Sequence, residues 1–529
     1  MADYKQFKNK SVLDALTTGN VSLGSVANVR ITGGSSGQFI STDGAGNLSF
    51  ATPASAGTIT ATATGSLSDG TKVIVNSDGT VSSISDTTES LTQFTPSVAS
   101  NSNNMLSAYD PTTGKILLAI INSSTSPIWY IGTITSGSLT LDYGYSLSAT
   151  NLSYSGKLIY ITENKFLFYY TDSSGYLKAN VMTISGTTVS AGTAMTLVSV
   201  ATQNLSAAYD TVRQRIAMTY TKSNVPYVMI GTLSGTTVTW GGEATIIGAS
   251  AISVGRVVYN IATKTMVYLW TQGSTPQYGL STSIPMPTST NTAYTWQSVT
   301  NPLYTTWFYT ESGTYAITES FQVSYNVAAK KIVILCYQKN SVGAWIVHGD
   351  GKNWSNPLHI PSTLSGNNNT PYMTMSYCYT TTRTTILFSD TGYNGFYAFS
   401  LLFDPVNSDT ITVGTVNYRG VVPYFATIAS ANNGQTLVLY GNGTVSAYMW
   451  QLPTTTLTNT NYIGISNGSY TNGQTATIQT AGSVDDAQTG LTPGSAYYVQ
   501  NNGSLSTTPG IPNVFAGTAI ASTKLLIKG

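Results

Sequence analysis

AAYDTVRQRIAMTY (residues 207–220) followed by VMIGTLSGTTVTW (residues 228–240) is the stretch that decides the fold. In the first piece Tyr209 ends one strand, DTVRQR makes a polar turn and Ile216 opens an apolar strand; in the second, Ser234 and Gly235 break two alternating runs. Alternation over four to six residues is the strand signature, and Gly paired with Ser or Thr marks the turns. The first turn recurs as Tyr109-DPTTGK-Ile116, Tyr160-ITENK-Phe166, Tyr259-NIATKT-Met266, Tyr325-NVAAKK-Ile332, Tyr379-TTTRTT-Ile386 and Ser430-ANNGQT-Leu437. From Tyr109 onward the leading residues are 51, 49, 50, 66, 54 and 51 residues apart. The second hairpin recurs as Trp129-YIGTITSGSLTL and Ala179-NVMTISGTTV. Two hairpins in each repeat of roughly fifty residues make one four-stranded blade. The expectation is an all-β protein with a seven-bladed β-propeller over residues 92–456. A β-solenoid would need shorter and more uniform repeats.

The single long step, between Tyr259 and Tyr325, implies an insertion around Asn301–Tyr315, NPLYTTWFYTESGTY. Its five aromatics, Tyr304, Trp307, Phe308, Tyr309 and Tyr315, exceed what the shared core needs. An aromatic-rich loop is a platform for stacking on sugar faces, and equally a plug or blade edge packed on neighbouring protein. These five residues are the expected glycan-contact loop.

Of the 529 residues, 8% are charged and 41% hydrophobic, with 35 tyrosines and a net charge of +1. Ser, Thr, Asn and Gly stand where charge normally sits, while the apolar and aromatic content is enough to bury a core. No basic stripe exists, so nucleic acid is not expected as a partner, since phosphate binding needs clustered Lys and Arg. Lys5, Lys8 and Lys10 read as a solvated face. Cys336 and Cys378 lie in apolar runs without a CxxC pattern and are expected to be buried thiols. MADYKQFKNKSVLDAL carries no apolar core or cleavage site of a signal peptide, and no run of about 18 apolar residues spans a membrane. The expectation is a protein made in a host cytoplasm.

NVRITGGSSGQFISTDGAGNLSF (Asn28–Phe50) and ATGSLSDGTKVIVNSDGTVSSI (Ala63–Ile84) precede the propeller, and Asn461–Gly529 follows it. Closing a propeller brings its first and last strands together, so the two flanks are expected to form one small β-domain into which the propeller is inserted. The segmentation is 1–59 for attachment and oligomerisation, 60–91 for the first half of the flanking β-domain, 92–456 for the propeller and 457–529 for the C-terminal β-domain. GLTPGSAYYVQNNGSLSTTP and AGTAIASTKLLIKG resemble a C-terminal module of bacteriophage tail and tail-fibre proteins, common in cyanophages and other marine phages. GSLSDGTKVIVNSDGTVSSI is similar to the partner half of that module, and GGSSGQFISTDGAGNLSF to a short N-terminal motif of the same class. The resemblance implies a virion location, tail or baseplate proteins as partners through the N-terminal segment, and a homo-oligomer, a trimer being one form. It names no receptor.

No catalytic, metal or cofactor residues are expected. His348 and His359 have no metal-ligand spacing, and there is no GxSxG elbow, P-loop or dinucleotide fingerprint. HGDGKNWSNP (His348–Pro357) resembles the Asp-box turn of sialidase-like propellers, with Asp350, Gly351 and Trp354 in the matching roles, although the usual SxDxGxTW spacing is not kept. That turn is a folding element. Arg213, Arg215 and Arg383 fall in the polar turns while Arg256 and Arg419 do not share that register, so no three-arginine carboxylate clamp is indicated. Glycosidase chemistry needs two facing carboxylates, and Glu311, Glu319 and Asp350 cannot be paired from sequence. Asp110, Asp210 and Asn260 are expected to cap their own turns. The expected function is a non-enzymatic tail-fibre or tail structural protein contributing to adsorption, with a host surface glycan as partner. The alternatives are a tail-borne polysaccharide depolymerase, a bacterial surface adhesin and a purely architectural component.

Overall fold

The computed structural model describes residues 33, 35, 39–42, 47–51, 57–98, 104–121, 127–135, 138–146, 156–246, 252–272, 278–286, 305–309, 317–338, 343–361, 372–390, 395–404, 407–420, 425–442 and 444–528. Every regular element among them is a β-strand. The chain divides into unit 1, residues 1–83, 461–498 and 515–529, and unit 2, residues 84–460 and 499–514.

Among the described residues, unit 2 holds a two-stranded sheet pairing Asp86–Thr87 with Thr454–Thr455, and seven antiparallel sheets of four or five strands laid down in chain order. Their leading strands are Asn104–Asp110, Lys157–Thr162, Gln203–Asp210, Ile252–Asn260, Ile317–Asn326, Tyr372–Cys378 and Phe425–Ser430. Each leading strand lies against that of the next sheet, and the seventh against the first. The seventh sheet takes its fourth strand, Ser90–Phe94, from the beginning of the unit, with Leu91 opposite Trp450. The Trp450 indole donates to Glu89 Oε1 at 2.9 Å, which fastens that closure.

Why the second strand of each sheet reads as an unbroken apolar run follows from the period of two. In Lys115–Ile121, the side chains of Leu117, Ala119 and Ile121 pack with Phe166, Phe168 and Tyr170 of the second sheet. The alternate residues Ile116, Leu118 and Ile120 pack with Leu437 and Leu439 of the seventh. Both faces are therefore buried, each in a different layer. The same holds all round: one hydrophobic layer lies between each consecutive pair of sheets, and the layer between seventh and first completes the series. Cys336 and Cys378 are buried free thiols in two of these layers, and burial pushes the Cys336 thiol up to about 12.

The polar turns join the first and second strands of every sheet. Each places one residue in the left-handed region: Gly114, Asn164, Gln214, Lys264, Lys330, Thr382 and Gly434. Counted from these, the sixth turn begins two residues earlier than the sequence spacing suggests, because Tyr377 faces Thr384 and Cys378 faces Arg383. Tyr377, not Tyr379, is thus the equivalent of Tyr109. In the seventh, Ser430 faces Thr436 and Ala429 faces Leu437, a slip of one residue. The fourth sheet gives a further correction. Its last strand is Thr305–Tyr309, paired with Tyr278–Pro285, so the extra length of this repeat lies largely inside its second hairpin. TTWFY is β-branched and aromatic, a composition that favours a pleated strand over an excursion.

Unit 1 draws strands from both flanks. Its first sheet runs Thr58–Thr62, Thr475–Gln479, Tyr462–Ser466, Lys72–Val75, Val81–Ser83, around a core of Ala63, Leu67, Val73, Val81, Ala476 and Ile478. Gly464 is required there, since its φ is 150° and a Cβ would collide with the Gln479 carbonyl. Val484–Asp485, Lys524–Ile527, Val514–Ala521 and Ala496–Val499 are neighbours in a second sheet. Lys72 Nζ donates to Gln488 Oε1 at 2.9 Å, while Gln488 Nε2 donates to Asp485 Oδ2 at 2.6 Å, a polar chain that ties the two flanks. Residues 1–32 of the expected attachment segment lie outside the described residues; Phe39–Thr42 and Leu48–Ala51 form a hairpin.

Candidate functional site

The two ends of the leading strands in unit 2 differ in chemistry. At the turn end, buried Asx side chains close the chain on itself. Asp110 Oδ1 accepts from the amides of Thr112 and Thr113 at 2.9 and 3.3 Å, and Asn260 Oδ1 does the same for Ala262 and Thr263 at 3.0 and 3.2 Å. Asp210 Oδ1 accepts from Val212 and Arg213 at 2.9 and 3.0 Å. Their second polar atoms reach neighbours: Asp110 Oδ2 accepts from the Asn164 amide at 2.7 Å, and Asn326 Nδ2 donates to the Thr382 carbonyl at 3.1 Å. Tyrosines latch in the other direction. The hydroxyls of Tyr109, Tyr325 and Tyr377 accept from the amides of Asn432, Ala262 and Ala328, each in the turn of the preceding sheet. At Tyr259, burial and then the Asp210 carboxylate push the phenol well above its ordinary range. The Asx side chains and the hydroxyls of Tyr109, Tyr325 and Tyr377 are occupied with structure.

The Asp350 turn is occupied in the same way. Asp350 Oδ1 accepts from Lys352 and Asn353 at 2.8 and 2.7 Å, and Gly351 has a φ of 98°. The Trp354 indole donates to Ser281 Oγ at 3.1 Å and Asn260 Nδ2 to the Asp350 carbonyl at 2.7 Å, so this turn staples the fifth sheet to the fourth. Of the three carboxylates weighed for hydrolysis, Asp350 alone has a described side chain. Burial, and then Lys331, hold the nearby His348 imidazole below its ordinary range, and the His359 ring lies tilted at 35° against Trp345, 4.5 Å between centroids. Among the described residues no group of three His, Cys, Asp or Glu is placed to hold a metal.

At the opposite end, a cavity of about 480 Å³ opens at the starts of the second and third leading strands and reaches Arg256 in the fourth. Lys157, Thr171, Gly175, Thr202, Gln203, Asn204, Leu205 and Arg256 line it, with no carboxylate in the lining. Water reaches the Lys157 side chain. Desolvation by the surrounding protein, and then the Arg256 guanidinium, nevertheless pull its ammonium down to about 8. Arg256 is likewise lowered by burial, a shift opposed by Tyr169 and Tyr268. One Arg256 Nη donates to the Gly255 carbonyl at 2.8 Å, and its guanidinium lies 5.9 Å from the Phe321 ring. Gly255 is glycine because the Tyr268 hydroxyl occupies the space of a Cβ. A wet, positively charged cavity rimmed by hydroxyl and amide groups is suited to holding a small anion.

The expected aromatic platform is divided by the structure. Trp307, Phe308 and Tyr309 stand on the fourth strand of the fourth sheet, where the backbone alone is described, and Tyr304 and Tyr315 lie outside the described residues. Sequence reasoning missed the pairing of Lys157 with Arg256. The signal was there in Arg256, a charge inside the apolar run SVGRVVY (residues 253–259) and out of register with the turn arginines.

No family model matches the chain, and no curated protein does. Among solved structures, AofleA from Arthrobotrys oligospora is similar at 12% identity and a TM-score of 0.38, covering 70% of this chain and 99% of that one. Sqt1 from Saccharomyces cerevisiae is similar at 12% identity and 0.39, covering 69% and 100%. A chain of the Mitotic Checkpoint Complex is similar at 8% identity and 0.41, covering 69% and 95%. Likeness at this level carries no argument about function.

Proposed function

We propose that this protein is a bacteriophage tail component, a non-enzymatic tail fibre or host-recognition protein of the virion, whose unit 2 is a seven-bladed β-propeller. The observation that supports the propeller is the series of seven hydrophobic layers, each shared by consecutive sheets and the last shared by seventh and first. The tail assignment rests on the segments that resemble phage modules: residues 65–84 and 490–529 supply strands Lys72–Val75, Val81–Ser83, Ala496–Val499, Val514–Ala521 and Lys524–Ile527. A surface of hydroxyl and amide groups with 8% charged residues suits hardware that works outside a cell. In this reading the N-terminal segment meets tail or baseplate proteins, the chain forms a homo-oligomer, and the propeller meets a host surface glycan. Several weak sites on one particle raise the effective concentration and make adsorption firm.

Immunogold labelling of intact particles with antibody to unit 2 tests the assignment. Gold at the tail is the expected result. Gold on the capsid alone, or particles that lack the chain, overturns it.

A further inference from the structure

The cavity at the starts of the second and third leading strands holds two cations that no described carboxylate balances. Neither Lys157 nor Arg256 forms an ion pair among the described residues, whereas Lys178, Arg213, Lys222 and Lys331 each do. Arg256 uses one of its five N–H donors on its own neighbour's carbonyl. The second cavity of unit 2, about 550 Å³, is lined by both Arg383 and Asp404 and so carries no excess charge. At about 480 Å³ the first is within the range of roughly 300–1,000 Å³ usual for small-molecule sites.

We propose that this cavity binds a carboxylate-bearing sugar, a uronic acid unit of an acidic glycan, with the Arg256 guanidinium and Lys157 ammonium on the carboxylate and Thr202, Gln203 and Asn204 around the ring hydroxyls. A guanidinium fork matches a carboxylate in two parallel hydrogen bonds, and an ammonium adds a point charge. Hydroxyl and amide groups beside the cations favour a ligand that is polyhydroxylated as well as anionic, and Leu205 offers an apolar wall to a sugar face. The inference deepens the glycan-binding reading of unit 2 by naming the sugar class.

The charge state of Lys157 gives the site a pH signature. The titratable groups beside it are Arg256 and, around that guanidinium, Tyr169 and Tyr268; Glu319 stands on the leading strand of the fifth sheet, with its side chain outside the described residues. Binding an anion favours the charged ammonium. Affinity is therefore full below about pH 8 and falls as the pH rises through the Lys157 value.

Calorimetric titration of the full chain with glucuronate, glucose and inorganic phosphate, at about pH 7 and about pH 9.5, tests the proposal. Glucuronate is expected to bind at about pH 7, glucose and phosphate at least roughly tenfold more weakly, consistent with a charge-assisted but sugar-specific site. Arg256→Gln and Lys157→Met each lower glucuronate affinity by roughly tenfold or more. Lys157→Arg keeps the affinity and removes its decline at about pH 9.5, a result that a merely misfolded variant would not give. Phosphate binding as tightly as glucuronate overturns the sugar assignment, and no glucuronate binding overturns the site. Neither failure touches the immunogold result, so the tail reading and the acidic-sugar site fail separately.

Discussion

The leading strands of unit 2 end in two kinds of place. At the turn end Asp110 accepts four hydrogen bonds, from Thr112, from Thr113 twice and from Asn164, and the tyrosine hydroxyls of neighbouring sheets close over the turns. At the other end Lys157 and Arg256 share a wet cavity with no carboxylate in its lining. The first place gives its Asx side chains partners in their own turn or the next one, which stabilises the sheet-to-sheet joints. The second leaves two cations without an ion-pair partner among the described residues, which is a cost to folding unless a ligand uses it. Polar groups that hold a structure and polar groups that await a ligand are told apart by counting their partners.

Substitutions break this contrast in a graded way. Asp110→Ala strands two turn amides and the Asn164 amide, so unit 2 is expected to lose about 3 kcal/mol in urea unfolding, and Asp110→Asn about 1 kcal/mol. Tyr377→Phe removes a single latch on the Ala328 amide and is expected to cost about 1 kcal/mol, read as a lower urea midpoint with an unchanged slope. Lys157→Met removes a cation that has no ion-pair partner among the described residues, and stability at neutral pH is expected to be unchanged or raised, never lowered.

The same lysine sharpens the contrast through pH. Folding lowers its pKa to about 8, so between that value and the ordinary lysine range the unfolded chain binds more protons. Stability of the wild type is therefore expected to rise relative to Lys157→Met as the pH climbs from about 8 to about 9.5. The window stops short of the tyrosines, whose raised values make stability fall at higher pH. A difference between the two proteins that stays flat across the window contradicts the depressed lysine.

The turns were legible because Asp or Asn after the leading residue caps its own loop, and a polar run between apolar strands repeats at nearly constant spacing. Register failed in the sixth turn for a physical reason. Tyr377 and Tyr379 flank Cys378, and the left-handed position is taken by Thr382, with a φ of 55°. A β-branched residue there is a costly choice that no turn rule predicts. In the fourth repeat, length revealed an insertion but not its place, because TTWFY continues the sheet as a strand. Arg256 stood out in the sequence as a charge inside an apolar run, but its neighbour in the cavity was out of reach: Lys157 lies about a hundred residues away and meets it only through the stacking of three sheets.

Hydrogen-exchange mass spectrometry of the full chain with and without glucuronate compares the two ends in a single experiment. Slowed exchange confined to peptides covering Lys157, residues 201–205 and Arg256, with the turns at Thr112, Asn164 and Thr382 unchanged, is the predicted result. Protection at the turns, with the cavity peptides unmoved, would contradict the assignment of structure to one end and ligand to the other.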